Sequence, residues 1–112
     1  MKGTNIGELE ELVLLSILLL QEEAYLLRIQ EVLKAEAQRS LSLGSLHNTL
    51  SRLEKKDLLQ SSLGGATKAR GGRRKRFYEL TNTGKQTLTH LQEIRTAMWK
   101  QVPAFALKLN FI

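Results

Sequence analysis

The apolar positions of the chain fall into four helical stretches and one pair of strand-like runs. From about Gly7 to Gln21, Leu9, Leu12, Val13, Leu15, Ile17, Leu19 and Leu20 cover most of a helical circumference. Glu8, Glu10 and Glu11 fill the first turn, where carboxylates favour the positive end of the helix dipole. An apolar face that wide predicts burial on more than one side, against the helix's own domain and against a second subunit. A second helix, Tyr25–Gln38, turns Leu26, Ile29, Val32 and Leu33 inward and Arg28, Glu31, Lys34 and Glu36 outward. After Arg39-Ser40-Leu41, a short connection or minimal strand, Ser42 reads as the N-cap of a third helix. In that helix, Leu43 to Lys56, Leu43, Leu46, Leu50 and Leu53 lie within about 80° of one another on a helical wheel. Gly44, Ser45, Asn48, Ser51, Arg52 and Lys55 fall opposite, with His47 at the boundary.

Leu58–Leu63 and Lys75–Leu80 predict two antiparallel strands joined by the Gly64–Gly72 loop, which holds four of the eight glycines. Alternation puts Arg76, Tyr78 and Leu80 on one side, with Tyr78 expected in the core. Thr81 is placed to cap a last helix, about Asn82–Gln101, striped by Leu88, Leu91, Ile94, Ala97 and Met98 and ended by Pro103. The expected fold is mainly α with a small β-hairpin wing: a winged helix-turn-helix over residues 1–81. A C-terminal dimerisation helix and apolar tail follow over 82–112, in one compact unit.

Charge gives this outline a partner. Residues 39–80 hold ten of the seventeen Lys/Arg but three of the eleven acids, a local balance of +7 that exceeds the net +6 of the chain. Six cations crowd into Lys68–Arg76 with no acid among them. A basic patch confined to one region, beside a helix with a polar outer face, is the footprint of nucleic-acid binding. An RNA reader would present aromatic platforms on a sheet, and the six aromatics here do not line up that way. A non-specific architectural protein would share the wing but need neither dimer nor operator.

Other classes fare worse. The chain has no cysteine, and its two histidines lie on different helices without ligand spacing, so neither metal nor cofactor is expected. Lys68 sits in a glycine-rich loop that lacks the order of a phosphate-binding loop, and no catalytic constellation appears. Val13–Leu20 is too short to span a membrane, and the early glutamates oppose a signal peptide. A soluble, cytoplasmic protein that is not an enzyme is expected.

Four stretches then carry a family pattern: Leu9–Leu15, Leu43–Leu46 through Leu50–Glu54, Gly71–Tyr78 and Leu80–Gly84. In this order and spacing the chain resembles the PadR family of bacterial transcriptional regulators, in the short form with one C-terminal helix, over about residues 7–101. The resemblance implies a homodimeric repressor of a pseudo-palindromic operator on double-stranded DNA. It implies a recognition helix in the major groove, a wing on backbone or minor groove, and C-terminal helices packed on the partner's first helix. Many members are released by small, often aromatic molecules. Family members usually carry an aromatic at the position of His47, and Gly where this chain has Leu26. Ala104–Ile112 lies outside the resemblance.

The DNA-binding candidates are Ser42, Ser45, His47, Asn48, Ser51, Arg52 and Lys55 on the third helix, and Lys68, Arg70, Arg73, Arg74 and Lys75 in the wing. Asn pairs bidentately with adenine and Arg with guanine, which makes Asn48 and Arg52 the base-reading candidates, the alternative being contacts to phosphates or water alone. Arg73, Arg74 and Lys75 are expected on phosphates, and Glu54 is expected to orient a nearby cation. Leu9, Leu12, Val13, Leu88, Leu91, Ile94 and Met98 are the dimerisation candidates. Trp99, the only tryptophan, is the candidate for an aromatic effector.

Overall fold

A computed structural model describes residues 5–64 and 74–109. The elements are α1 (Glu8–Leu20), α2 (Leu26–Ala37), α3 (Leu43–Lys55), β1 (Leu59–Leu63), β2 (Arg76–Leu80) and α4 (Asn82–Gln101). Short 3₁₀ turns cover Gln21–Glu23 and Ala104–Leu107. β1 and β2 form an antiparallel ladder from Leu59 opposite Leu80 to Leu63 opposite Arg76. This is the winged helix-turn-helix with an added C-terminal helix that the sequence predicts.

Both expected caps form. Ser42 Oγ accepts the Ser45 N–H at 3.0 Å, and Thr81 Oγ1 accepts the Gly84 N–H at 3.0 Å. Arg39–Leu41, however, is no strand. The third strand position of the wing sheet is taken by Tyr25, which makes a single antiparallel bridge to Phe77, while the Tyr78 N–H donates to the Ala24 carbonyl at 2.9 Å. Gln30 Nε2 donates to the Leu41 carbonyl at 2.8 Å, fixing the turn between α2 and α3 instead.

The core joins Val13, Leu14 and Ile17 of α1 to Ile29 and Leu33 of α2 and to Leu46, Leu50 and Leu53 of α3. Leu58, Leu59, Tyr78, Leu80 and Leu88 close it from the wing and α4. Leu43 departs from the expected inward stripe: at 40% exposure it lies on the first turn of α3, beyond the edge of the core.

α3 ends with Asp57 in the left-handed region at φ 64°, where the Leu58 N–H reaches back to the Leu53 carbonyl at 3.0 Å. That turn presses the Leu58 backbone onto Gly84. A Cβ at Gly84 would overlap the Leu58 carbonyl oxygen and lie 3.1 Å from its carbon. Gly84→Ala should therefore destabilise by about 1–3 kcal/mol, although alanine is the better helix former. Thermal unfolding checks this, and an unchanged or raised Tm would contradict it.

Only the first turns of α4 dock. Gly84, Thr87 and Leu88 are buried, Leu91 is half-buried, and Gln92–Gln101 is exposed. The Cα radius of gyration is 17.2 Å, against about 13 Å for a compact domain of this length. Beyond Leu91 the helix is exposed, tied back to α1 by Arg95 Nη2 on Glu11 Oε1 at 2.7 Å. No helix among the described residues is long and apolar enough to cross a membrane.

Candidate nucleic-acid interface

The amphipathic pattern of α3 determines which side chains reach solvent. With Leu46, Leu50 and Leu53 fully buried, Ser42, Ser45, His47, Asn48, Arg52 and Lys55 are exposed and Ser51 is half-buried. Thr49, between them in sequence, turns inward and donates its hydroxyl to the Ser45 carbonyl at 3.1 Å. The short polar groups crowd the N-terminal half of the helix, which is the half that contacts base edges in helix-turn-helix proteins.

The far end of α3 is anchored by a residue that periodicity assigns only to the first turn of α1. Glu10 is buried, and its Oε1 accepts the Gly7 N–H at 3.0 Å. Lys56 Nζ donates to both of its oxygens, at 3.0 and 3.1 Å, and Arg52 Nε lies 3.6 Å from Oε2. Arg52 Nη2 also donates to Thr49 Oγ1 at 3.3 Å. Arg52 is thus held partly along the protein, while its side chain stays 56% exposed.

Burial raises the Glu10 pKa. The Gly7 N–H, the Lys56 ammonium and the Arg52 guanidinium together outweigh it and hold the carboxyl below its ordinary 4.5. The stabilisation is full above that unfolded value and is lost as pH falls through the lower folded one. Glu10→Gln should cost about 1 kcal/mol at neutral pH, with the gap to wild type closing on acidification below 4.5. Urea titrations across pH 3–7 measure it, and a pH-independent gap would contradict the pairing.

The wing root is ordered by its own cations. The Gly64 N–H donates to the Lys75 carbonyl at 2.6 Å, and Arg74 Nε returns a bond to the Gly64 carbonyl at 3.1 Å. Lys75 Nζ sits 4.1 Å over the Tyr25 ring, which meets Phe77 edge-on at 5.6 Å. Arg76 Nη1 donates to Ser61 Oγ at 2.9 Å, and that hydroxyl donates to Glu54 Oε2 at 2.7 Å. Glu54 therefore reaches a cation through Ser61, which links α3 to the wing. Arg76 is exposed beside Arg74 and Lys75 but is missing from the sequence candidates, because strand alternation groups it with the buried Tyr78 and Leu80. Lys68, Arg70 and Arg73 lie outside the described residues.

The dimerisation candidates divide. Val13 and Leu88 are buried within the chain's own core and have no surface left to offer a partner. Leu9 and Leu12 pack against that core with part of their surface free, and Leu91 in α4 is half-buried. Ile94 is 43% and Met98 64% exposed, and Leu15, Leu19, Val102, Phe105 and Leu107 are exposed apolar residues beyond the expected set. Trp99 lines a 300 Å³ concavity with Arg95, Met98, Val102 and Leu107. Arg95 Nη2 holds α4 to α1 through Glu11 at 2.7 Å.

Comparison with known proteins gives this geometry its family. A statistical description of the transcriptional regulator PadR-like family matches residues 14–90. The X-ray structure of a PadR-like transcription factor from Bacteroides fragilis is similar with a TM-score of 0.64 at 31% identity, covering 82% of this chain and 84% of that one. A PadR family transcription regulator from hypervirulent Clostridium difficile gives 0.62 at 29% identity, over 84% and 93%. A PadR-like transcriptional regulator from Bacillus cereus shares the fold at 0.69 and 23% identity, over 90% and 93%. No curated protein matches the chain. With the polar face of α3 exposed, cations gathered at the wing root and the family pattern spanning most of its length, the chain belongs to the PadR-like family of DNA-binding transcriptional regulators.

Proposed function

We propose that the protein is a homodimeric repressor, working in the bacterial cytoplasm, that recognises a pseudo-palindromic operator in double-stranded DNA. The observation that carries this reading is an exposed Ser42–Ser45–Asn48 surface on α3, a helix whose His47 lines one groove with the exposed Lys75 and Arg76 of the wing. Asn48 reads a base edge, and Arg52 joins it when it turns from Glu10 toward a guanine. Lys55 and the wing cations, with Lys68, Arg70 and Arg73, hold phosphates. His47 stands where its imidazole meets a base edge or a phosphate. Residues 1–81 form the DNA-binding unit, and α4 with the tail pairs the subunits.

The effector reading rests on the concavity at Trp99. A planar aromatic molecule seated there, between paired α4 helices, favours a spacing of recognition helices that does not fit the operator. Ligand and DNA then weaken each other by one common factor, typically about 5–150-fold. Trp99 fluorescence and operator release by the same compounds would report it.

Competition binding tests the main proposal. A duplex selected from random sequence should be displaced by itself far more readily than by bulk duplex or by RNA. Equal displacement by all three would instead indicate a non-specific nucleic-acid binder.

A further inference from the structure

Two leucines stand bare on the cationic face. Leu27, in the first turn of α2, is 51% exposed, and Leu43, the first residue of α3, is 40% exposed. Both line a 430 Å³ groove whose floor includes Tyr25 and whose rim carries His47, Lys75 and Arg76. No carboxylate lines it among the described residues. Apolar surface left in water is unfavourable in proportion to its area, so this groove gains from an occupant. The occupant must be anionic at the rim and apolar at discrete points.

Duplex DNA matches both demands. Its phosphates suit Lys75 and Arg76, and the C5-methyl of thymine is the apolar group presented in the major groove. Leu43 opens the recognition helix, at the end whose side chains reach base edges, and His47 lies one turn further on the same edge. We infer that Leu43, backed by Leu27, is a specificity-determining residue that reads a thymine methyl in each operator half-site. The inference rests on the DNA-binding role proposed above and adds the identity of a base.

The test replaces thymines of a selected operator one at a time by deoxyuridine, which removes only the methyl group. At one thymine per half-site, wild-type affinity should fall about 4-fold, and about 15-fold when both half-sites are changed, as expected for one apolar carbon each. Leu43→Ala should bind the thymine and uracil duplexes within 2-fold of each other while keeping the wild-type salt dependence. Leu27→Ala should give a partial loss of the preference. Circular dichroism confirms that both variants fold. Wild-type indifference to every methyl, or an undiminished thymine preference in Leu43→Ala, would overturn the inference and leave the DNA-binding role intact. Operator release by 1-naphthoate that Leu43→Ala abolishes, without any methyl effect, would assign the groove to small ligands and also overturn it. Failure of the wild type to bind any duplex would sink both.

Discussion

Raising salt from 50 to 200 mM should weaken operator binding by about 10³–10⁵-fold. The expectation comes from counterion release. A dimer carries two wings and two α3 helices, and together these neutralise on the order of 6–10 phosphates. Arg74, Lys75 and Arg76 are exposed at the wing root, and each has a contact that fixes its direction without neutralising its charge: the Gly64 carbonyl, the Tyr25 ring and the Ser61 hydroxyl. Cations arranged in this way lose little side-chain freedom when they meet a phosphate. Arg74→Ala should flatten the slope of log affinity against log salt by about 1 for each subunit. Fluorescence anisotropy over a salt series measures both, and an affinity nearly independent of salt would remove the electrostatic basis of the interface.

Ile94→Asp combined with Met98→Asp should turn the protein into a folded monomer and lower operator affinity by about 10²–10⁴-fold. The size of the effect is what linking two binding modules contributes through effective concentration. Both side chains are exposed on the projecting part of α4, so the substitutions should leave the subunit's own core intact. The same positions in a dimer would place carboxylates in an apolar contact, where unpaired charge is strongly disfavoured. Val13 and Leu88 would be poor choices for this experiment, since changing them disrupts the subunit itself. Sedimentation shows the mass and circular dichroism the fold. A wild type that sediments as a 12.7 kDa species at micromolar concentration would contradict the dimer, and with it the palindrome.

Local signals were legible because each has a local physical cause. Ser42 and Thr81 mark helix starts through their own hydroxyls, and alternation along β2 correctly buries Tyr78 and Leu80. Of the two readings of Arg39–Leu41 the short connection holds, and the single bridge at Tyr25 leaves no periodic trace in the sequence. Periodicity gives the direction of a side chain and not its depth, so it groups Leu43 with the inward stripe although the residue lies past the core's edge. For the same reason periodicity does not reveal that Val13 and Leu88 are enclosed by the chain's own core. Long-range pairs were invisible altogether. Glu10 reads as a helix-dipole residue, and only the packing of α1 against α3 brings it to Lys56 and Arg52. The relay from Arg76 through Ser61 to Glu54 likewise joins three elements that no spacing connects.

The central claim is that α3 reads sequence while the wing grips backbone, and a comparison of two variants on two duplexes tests it most directly. Asn48→Ala and Arg74→Ala are measured on the selected operator and on a scrambled duplex at one salt concentration. Asn48→Ala should lose about 1–3 kcal/mol on the operator and almost nothing on the scrambled duplex, whereas Arg74→Ala should weaken both alike. Equal loss on both duplexes for Asn48→Ala would mean that α3 touches only phosphates, and the division of labour between helix and wing would be wrong.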